Sequence, residues 1–240
     1  MSMYTKRKRE KYLMPTQTHF AIDIDQTICG SNAHAIYARF HTDDLHLEIP
    51  LSTLEHLPSY LDFLKLPQVT GFRRSNEKEW RASRQRAIAD PEVLRAFLPI
   101  EGAQSGISSL LHNGSLCYYT ARTPQTQTVT EEWLRIHGFP GSQHVVCCAS
   151  VEQKLLTLAQ YYPSENAIVL VDDRGHTHIH ETLLQQRTSP LIQSLLQRLT
   201  IVAFASKRVS LPGSPLCPMV ALPSWHELAQ CTVCWSRAAM

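Results

Sequence analysis

The chain has 240 residues, 43% of them hydrophobic, with a formal net charge of +2 and a pI near 8.2. That length suits one large domain or a core with a smaller insertion, and the hydrophobic content can fill a sizeable core. So even a charge balance gives no global field of the kind that marks nucleic-acid or membrane binders. No apolar stretch is long enough to span a membrane and none reads as a signal region, so a soluble, cytoplasmic protein is expected.

Residues 1–18 read as a polar leader whose one dense basic run is Lys6-Arg7-Lys8-Arg9. Such a run is expected to be solvated. The first strong element is Phe20-Ala21-Ile22, which runs into Asp23-Ile24-Asp25-Gln26-Thr27. Three apolar residues in succession predict a strand buried on both faces. Burying two ionised carboxylates at its end costs several kcal/mol unless a cation or hydrogen-bond donors compensate, so a metal or chemistry explains them better than packing.

Between Ala33 and about Leu98 the signals are helical. His34 to Phe40 suits a short helix, and Leu54, Leu57 and Leu61 share a helical face that Pro58 interrupts. Asn76-Glu77-Lys78-Glu79 fits a capping box opening a basic helix to about Ala89, and Asp90-Pro91 caps another through Phe97. Beyond Pro99, strands alternate with helices. Ile107, Leu110 and Leu111 define a helical face, with Gly114 placed as its stop, and Leu116 to Tyr119 is a strand ending in Thr120. Thr123-Pro124 caps a helix whose apolar side holds Val129, Trp133 and Ile136, ended by Gly138. Val145 to Cys148 is a strand, and Ser150-x-x-Gln153 opens a helix with Lys154 in its first turn. Ala167 to Val171 is a strand ending in Asp172-Asp173, Thr177 to Gln186 is helical, and Ile201 to Phe204 is a further strand. A short Val220-Ala221-Leu222 run and a capping box at Ser224 close the pattern.

Continuous apolar strands alternating with helices predict a doubly wound, Rossmann-like α/β fold with a parallel sheet. Its strand C-terminal ends line one edge, where such sheets bind ligands. Asp23, Asp25, Thr120, Asp172 and Asp173 fall on that edge, with Lys154 beside it. Several carboxylates suit a hard cation such as Mg2+. A carboxylate there can act as a nucleophile, and its neighbour two residues on can exchange protons with leaving group and water. Thr120 can donate to a phosphoryl oxygen, and Lys154 can neutralise charge on the transferring group. That inventory suffices for phosphoryl transfer.

Seven cysteines form no framework spacing; Cys117, Cys147 and Cys148 lie in apolar runs. Cys231 and Cys234 make a single C-x-x-C without a second pair, so neither a zinc nor a redox site is expected. His176, His178 and His180 do not share a helical face, and surface or capping roles are expected for them.

With these motifs in order, the chain resembles the haloacid dehalogenase (HAD) superfamily of phosphohydrolases. Asp23-Ile24-Asp25-Gln26-Thr27 resembles the first motif, Thr120 the second, Lys154 the third and Val171-Asp172-Asp173-Arg174 the fourth. The departure is Gln26, where many members have glycine. The resemblance implies Asp23 as nucleophile, Asp25 as acid/base, and Mg2+ held by Asp23, the main-chain carbonyl of Asp25 and Asp173 or Asp172. It also implies a core over residues 19–29 and 99–240 with a helical C1-type cap over 30–98. Tyr119-Thr120-Ala121-Arg122 and Thr130-Glu131-Glu132-Trp133-Leu134 are similar to the 5'(3')-deoxyribonucleotidase-like branch. That similarity implies substrate contacts from Thr120, Ala121, Arg122 and Lys154, and a small phosphorylated substrate such as a nucleotide. The basic cap residues Arg73, Arg74, Lys78, Arg81, Arg84 and Arg86 would attract an anion, while Tyr60, Phe72 and Trp80 are expected in the cap's own core. A polynucleotide 3'-phosphatase is the alternative enzyme and a non-catalytic binding protein the alternative class; neither oligomeric state nor substrate identity follows from the sequence.

Overall fold

The structure, a computed structural model, describes residues 18–162, 167–204 and 215–228. The basic leader run and the Cys231/Cys234 pair lie outside the described residues.

The predicted opening strand is β1 (Thr18–Ile22), which forms the middle of a parallel sheet. A first group of helices, α1 (Ala33–Asp44), α2 (Leu51–Glu55), α3 (Tyr60–Lys65), α4 (Pro67–Ser75), α5 (Glu77–Ala89) and α6 (Pro91–Ala96), follows without an intervening strand. Then come α7 (Ala103–Leu110), β2 (Gly114–Thr120), α8 (Gln127–Ile136), β3 (Val145–Cys147) and α9 (Val151–Tyr161). The chain continues through β4 (Ile168–Asp172), α10 (His180–Gln185), α11 (Pro190–Leu196), β5 (Leu199–Phe204) and β6 (Met219–Leu222). The sheet order is β3-β2-β1-β4-β5-β6 with every pair parallel. Chain order runs outward in both directions from β1, so the crevice between β1 and β4 is the topological switch point.

Strand side chains alternate between two buried layers. Phe20, Ile22, Tyr118, Val169 and Val171 join one cluster with Ile107, Trp133 and Trp225. Ala21, Cys117, Tyr119 and Leu170 join the other with Leu155, Leu158, Leu183 and Ile192. Both faces are covered, which is why the strands read as unbroken apolar runs. A third cluster of Ala38, Leu45, Leu54, Phe63, Val69 and Trp80 belongs to the helical insertion. Val93, Leu94 and Phe97, at the insertion's end, pack instead into the sheet's cluster.

Several local expectations are corrected. Gly114 is not a helix stop but the first residue of β2; a Cβ there would lie 2.0 Å from the Thr18 carbonyl oxygen, so glycine lets β1 and β2 approach. Leu111 is 43% exposed, outside the buried face of Ile107 and Leu110. Leu61 is 67% exposed, because Ser59 caps a separate α3 whose buried residue is Phe63. Ile136 is 59% exposed. Gly138 (φ 68) turns the chain back and Phe139 packs on Trp133 in its place, ring centroids 5.4 Å apart. Asn76 makes no side-chain cap, since its N–H continues α4 by donating to Phe72 O and so joins α4 to α5. A 3-10 turn, Pro124–Thr126, precedes α8 where a direct Thr123 cap was expected. Asp90 and Ser150 do cap α6 and α9, accepting from Val93 and Gln153 N–H respectively. His180 is buried rather than at the surface. No described helix is long and apolar enough to cross a membrane.

Candidate active site

The acids sit at the switch point. Asp23 follows β1, with its N–H donating to Val171 O of β4. Asp172 ends β4 and Asp173 follows it. Lys154, one turn into α9, is 1% exposed and bridges the two strands. Its Nζ lies 2.6 Å from Asp23 Oδ1 and 2.8 Å from Asp172 Oδ2. Burial alone would push the lysine ammonium down, but the two carboxylates outweigh it and hold the pKa above its ordinary value.

Asp23 is itself displaced upward, first by burial and then by the nearby Asp172 and Asp25 charges, against the pull of Lys154. Asp173 is pushed up to about 6 by burial and by Asp172. Three acids face Lys154, with Arg174 Nε 4.0 Å from Asp173 Oδ2, so the carboxylates outnumber the cations beside them. Carboxylate oxygens of Asp23, Asp172 and Asp173 lie within 4.8 Å of one another. All-oxygen donors, close together and short of positive charge, fit a hard divalent cation such as Mg2+.

Asp25 occupies a different environment. Arg122 Nε donates to Asp25 Oδ2 at 3.0 Å and its Nη2 to Oδ1 at 2.7 Å. Burial would raise the carboxyl pKa, but this bidentate guanidinium outweighs it and keeps Asp25 below its ordinary value. Arg122 is anchored in turn by Nη1 donating to Thr130 Oγ1 at 3.0 Å, from α8.

Thr120 differs from its expected place. It is fully buried, its hydroxyl donates to Asp25 Oδ2 at 3.3 Å, and it accepts from Arg122 N–H at 3.2 Å. As the last residue of β2 it faces Asp25 and does not line the cavity. The Arg122 guanidinium likewise serves Asp25 and Thr130, although Arg122 and Ala121 both border the cavity. Asp23, Asp25, Lys154, Asp172 and Asp173 all line that cavity, which measures about 670 Å³. Its opposite wall comes from the helical insertion, including His34, Tyr37, Tyr60 and Arg84. Trp80 is buried in the insertion and Phe72 is half-buried, while Tyr60 packs near Phe63 but also borders the cavity.

Sequence reasoning assigned no role to Thr27, Cys29, Thr130 or Trp225. Thr27 Oγ1 donates to Asp23 Oδ2 at 3.2 Å and accepts from Asp173 N–H at 3.1 Å, so it ties β1 to β4. Trp225 Nε1 donates to Thr27 O at 2.7 Å from 198 residues away. Cys29 Sγ lies 3.3 Å from Arg122 Nη2. The one available signal was the hydroxyl four residues after Asp23. Gln26 takes a left-handed conformation (φ 61), which accounts for glycine at that place in the resembling motif.

No protein-family model and no curated protein matches the sequence. Solved structures do match in fold. A HAD hydrolase of Bacillus subtilis bound to magnesium has a TM-score of 0.55 at 14% identity, covering 90% of this chain and 98% of that chain. A HAD family hydrolase of Deinococcus radiodurans with bound phosphate and sodium has a TM-score of 0.51 at 14% identity, covering 93% and 97%. A haloacid dehalogenase-like hydrolase of Xanthomonas campestris gives 0.50 at 12% identity, covering 94% and 99%. The Rossmann-like α/β fold of this chain is thus the fold of HAD-superfamily hydrolases.

Proposed function

From this hydrolase fold, we propose that the chain is a Mg2+-dependent phosphomonoesterase acting through an aspartyl-phosphate on Asp23, with a nucleotide or similar small phosphate ester as substrate. The observation that supports it most is Asp23 itself. A buried carboxylate, held by Lys154 and Thr27, opens onto a cavity large enough for such a substrate. Asp23, Asp172 and Asp173, with the main-chain carbonyl of Asp25, would hold the cation. When bound, it would offset the surplus negative charge and polarise a phosphoryl oxygen.

In the first step an Asp23 oxygen bonds to phosphorus while the bond to the ester oxygen breaks. That oxygen takes a proton from Asp25. The Arg122 pair holds Asp25 ionised, so the proton enters with a monoanionic substrate and is relayed. In the second step Asp25 accepts a proton from water, the resulting hydroxide bonds to phosphorus, and the bond to Asp23 breaks. Asp25 then returns that proton to a phosphate oxygen, inorganic phosphate leaves as the monoanion, and Asp23 and ionised Asp25 are both restored. Lys154 neutralises charge on the nucleophile side throughout. Thr120 acts through Asp25, as a positioning residue. The aromatic rings of Tyr37 and Tyr60 suit a planar or apolar leaving group.

Phosphate release from p-nitrophenyl phosphate and a nucleotide panel tests the reading. Turnover is expected with Mg2+, and its loss with EDTA or in Asp23→Asn. Equal turnover in EDTA, or in Asp23→Asn, contradicts it.

A further inference from the structure

The basic residues of the helical insertion divide into two groups. Arg81 pairs with Glu77, and Arg86 with Asp44 and Glu79, as solvated helix faces commonly do. Arg73, Arg74 and Arg84 have no ion pair with a carboxylate among the described residues. These three converge, with Arg81, on a second concavity of about 490 Å³. Glu77, already engaged by Arg81, is the one acid on its lining. Trp80, 5% exposed, forms part of its wall, and the Arg73 guanidinium lies 5.4 Å from the indole centroid. That stacking orders one cation beside the others. Arg84 borders both concavities, so it joins this basic recess to the cavity that holds Asp23.

Like charges left unpaired around a recess repel one another, and an anion removes the repulsion. Guanidinium groups present forked donors that match phosphate oxygens. We propose that Arg84, backed by Arg73 and Arg74, forms a second anion subsite, and that the substrate is a small phosphomonoester carrying a second phosphate. The inference rests on the phosphatase reading of the Asp23 cavity. One phosphate lies at Asp23 and the other at Arg84, with the body of the ligand against Tyr37 and Tyr60. Both concavities fall within the volume range of small-molecule sites, and the insertion walls the Asp23 cavity; together these favour a small ligand over a nucleic-acid end.

Calorimetry on the full chain with Asp23→Asn in Mg2+ tests the subsite without requiring turnover, using adenosine 3',5'-bisphosphate and adenosine 5'-monophosphate as probes. The bisphosphate is expected to bind at least about tenfold tighter, as an added charge-assisted contact allows. Arg84→Gln and the double variant Arg73→Gln/Arg74→Gln should each shrink that ratio, whereas Lys78→Gln, which lines neither concavity, should not. The wild-type chain in EDTA supplies the same ratio should Asp23→Asn fail to fold. Equal affinities for the two probes overturn the proposal, as does a preference that survives both arginine variants. Arginine-dependent binding of a 3'-phosphorylated oligonucleotide, without a preference for the small bisphosphate, also overturns it in favour of a nucleic-acid end. Hydrolysis of p-nitrophenyl phosphate, run in parallel on the wild type, reports on the phosphatase reading alone. The subsite stands on the binding ratio even if that hydrolysis is absent.

Discussion

The sheet edge and the helical insertion treat charge in opposite ways. At the edge, Lys154 is 1% exposed and bonded to two carboxylates at 2.6 and 2.8 Å, and Arg122 is 6% exposed and bonded to Asp25 at 2.7 and 3.0 Å. On the insertion, Arg73, Arg74 and Arg84 are exposed and have no such partner among the described residues. Burial sets the difference. A charge removed from water needs a partner in good geometry, whereas an exposed guanidinium keeps its hydration and can wait for a ligand. The edge therefore holds its cations in fixed, buried pairs, while these three on the insertion remain in solvent.

Removing one cation from each region should give the largest contrast. Lys154→Met leaves Asp23 and Asp172 buried without their shared partner, which costs about 3–5 kcal/mol. Arg84→Gln, at an exposed site, should change stability by no more than about 0.5 kcal/mol. Urea unfolding of both variants measures the two values side by side. Similar losses would mean that burial does not separate the two regions.

This contrast also explains what could be read from the sequence. Asp23, Asp25, Thr120, Lys154, Asp172 and Asp173 were legible because each ends a strand or opens a helix, and parallel α/β topology brings those points to one edge. The two-layer core was legible for the same reason: strands buried on both faces are written as continuous apolar runs. The partners of the acids were not. That Thr120 serves Asp25 depends on where the β2 terminus meets the turn after β1, a separation of 95 residues. Trp225 reaching Thr27 depends on a contact of still longer range. In the insertion, Leu61 and Phe63 fall in a segment where Pro58 and Ser59 reset the helical phase, so periodicity alone chose the wrong residue.

A smaller effect compares buried histidines. His19, in the sheet, accepts or donates at Nδ1 with Ser115 Oγ at 2.9 Å and stacks on Tyr162. His41, in the insertion, does the same with Ser83 Oγ at 2.8 Å and lies 4.8 Å from the Trp80 ring centroid. Burial lowers both from 6.5 to about 4. Both are neutral in the folded state, while the unfolded chain binds a proton below 6.5. Their contribution is therefore complete above pH 6.5 and lost as pH falls toward 4, by up to about 3 kcal/mol each. Urea unfolding at pH 7 and pH 4.5 should show a smaller pH dependence in His19→Gln and in His41→Gln than in the wild type. An unchanged difference between the two pH values in either variant would mean that histidine is not held neutral.

The smallest effect concerns support for the site from afar. Trp225→Phe keeps most of the packing but removes the donor to Thr27 O, at a cost of about 1–2 kcal/mol. Thermal unfolding measures that loss, and an unchanged midpoint would remove Trp225 from the account of how the β1 turn is held.

The role of Asp23 as nucleophile is tested most directly by trapping. Acid quenching during turnover of p-nitrophenyl phosphate with Mg2+, followed by peptide mass spectrometry, should place a phosphoryl group on Asp23. Asp23→Asn should show none. A phosphoryl group on another residue, or turnover in Asp23→Asn with no phosphoryl group at this position, would contradict the assignment.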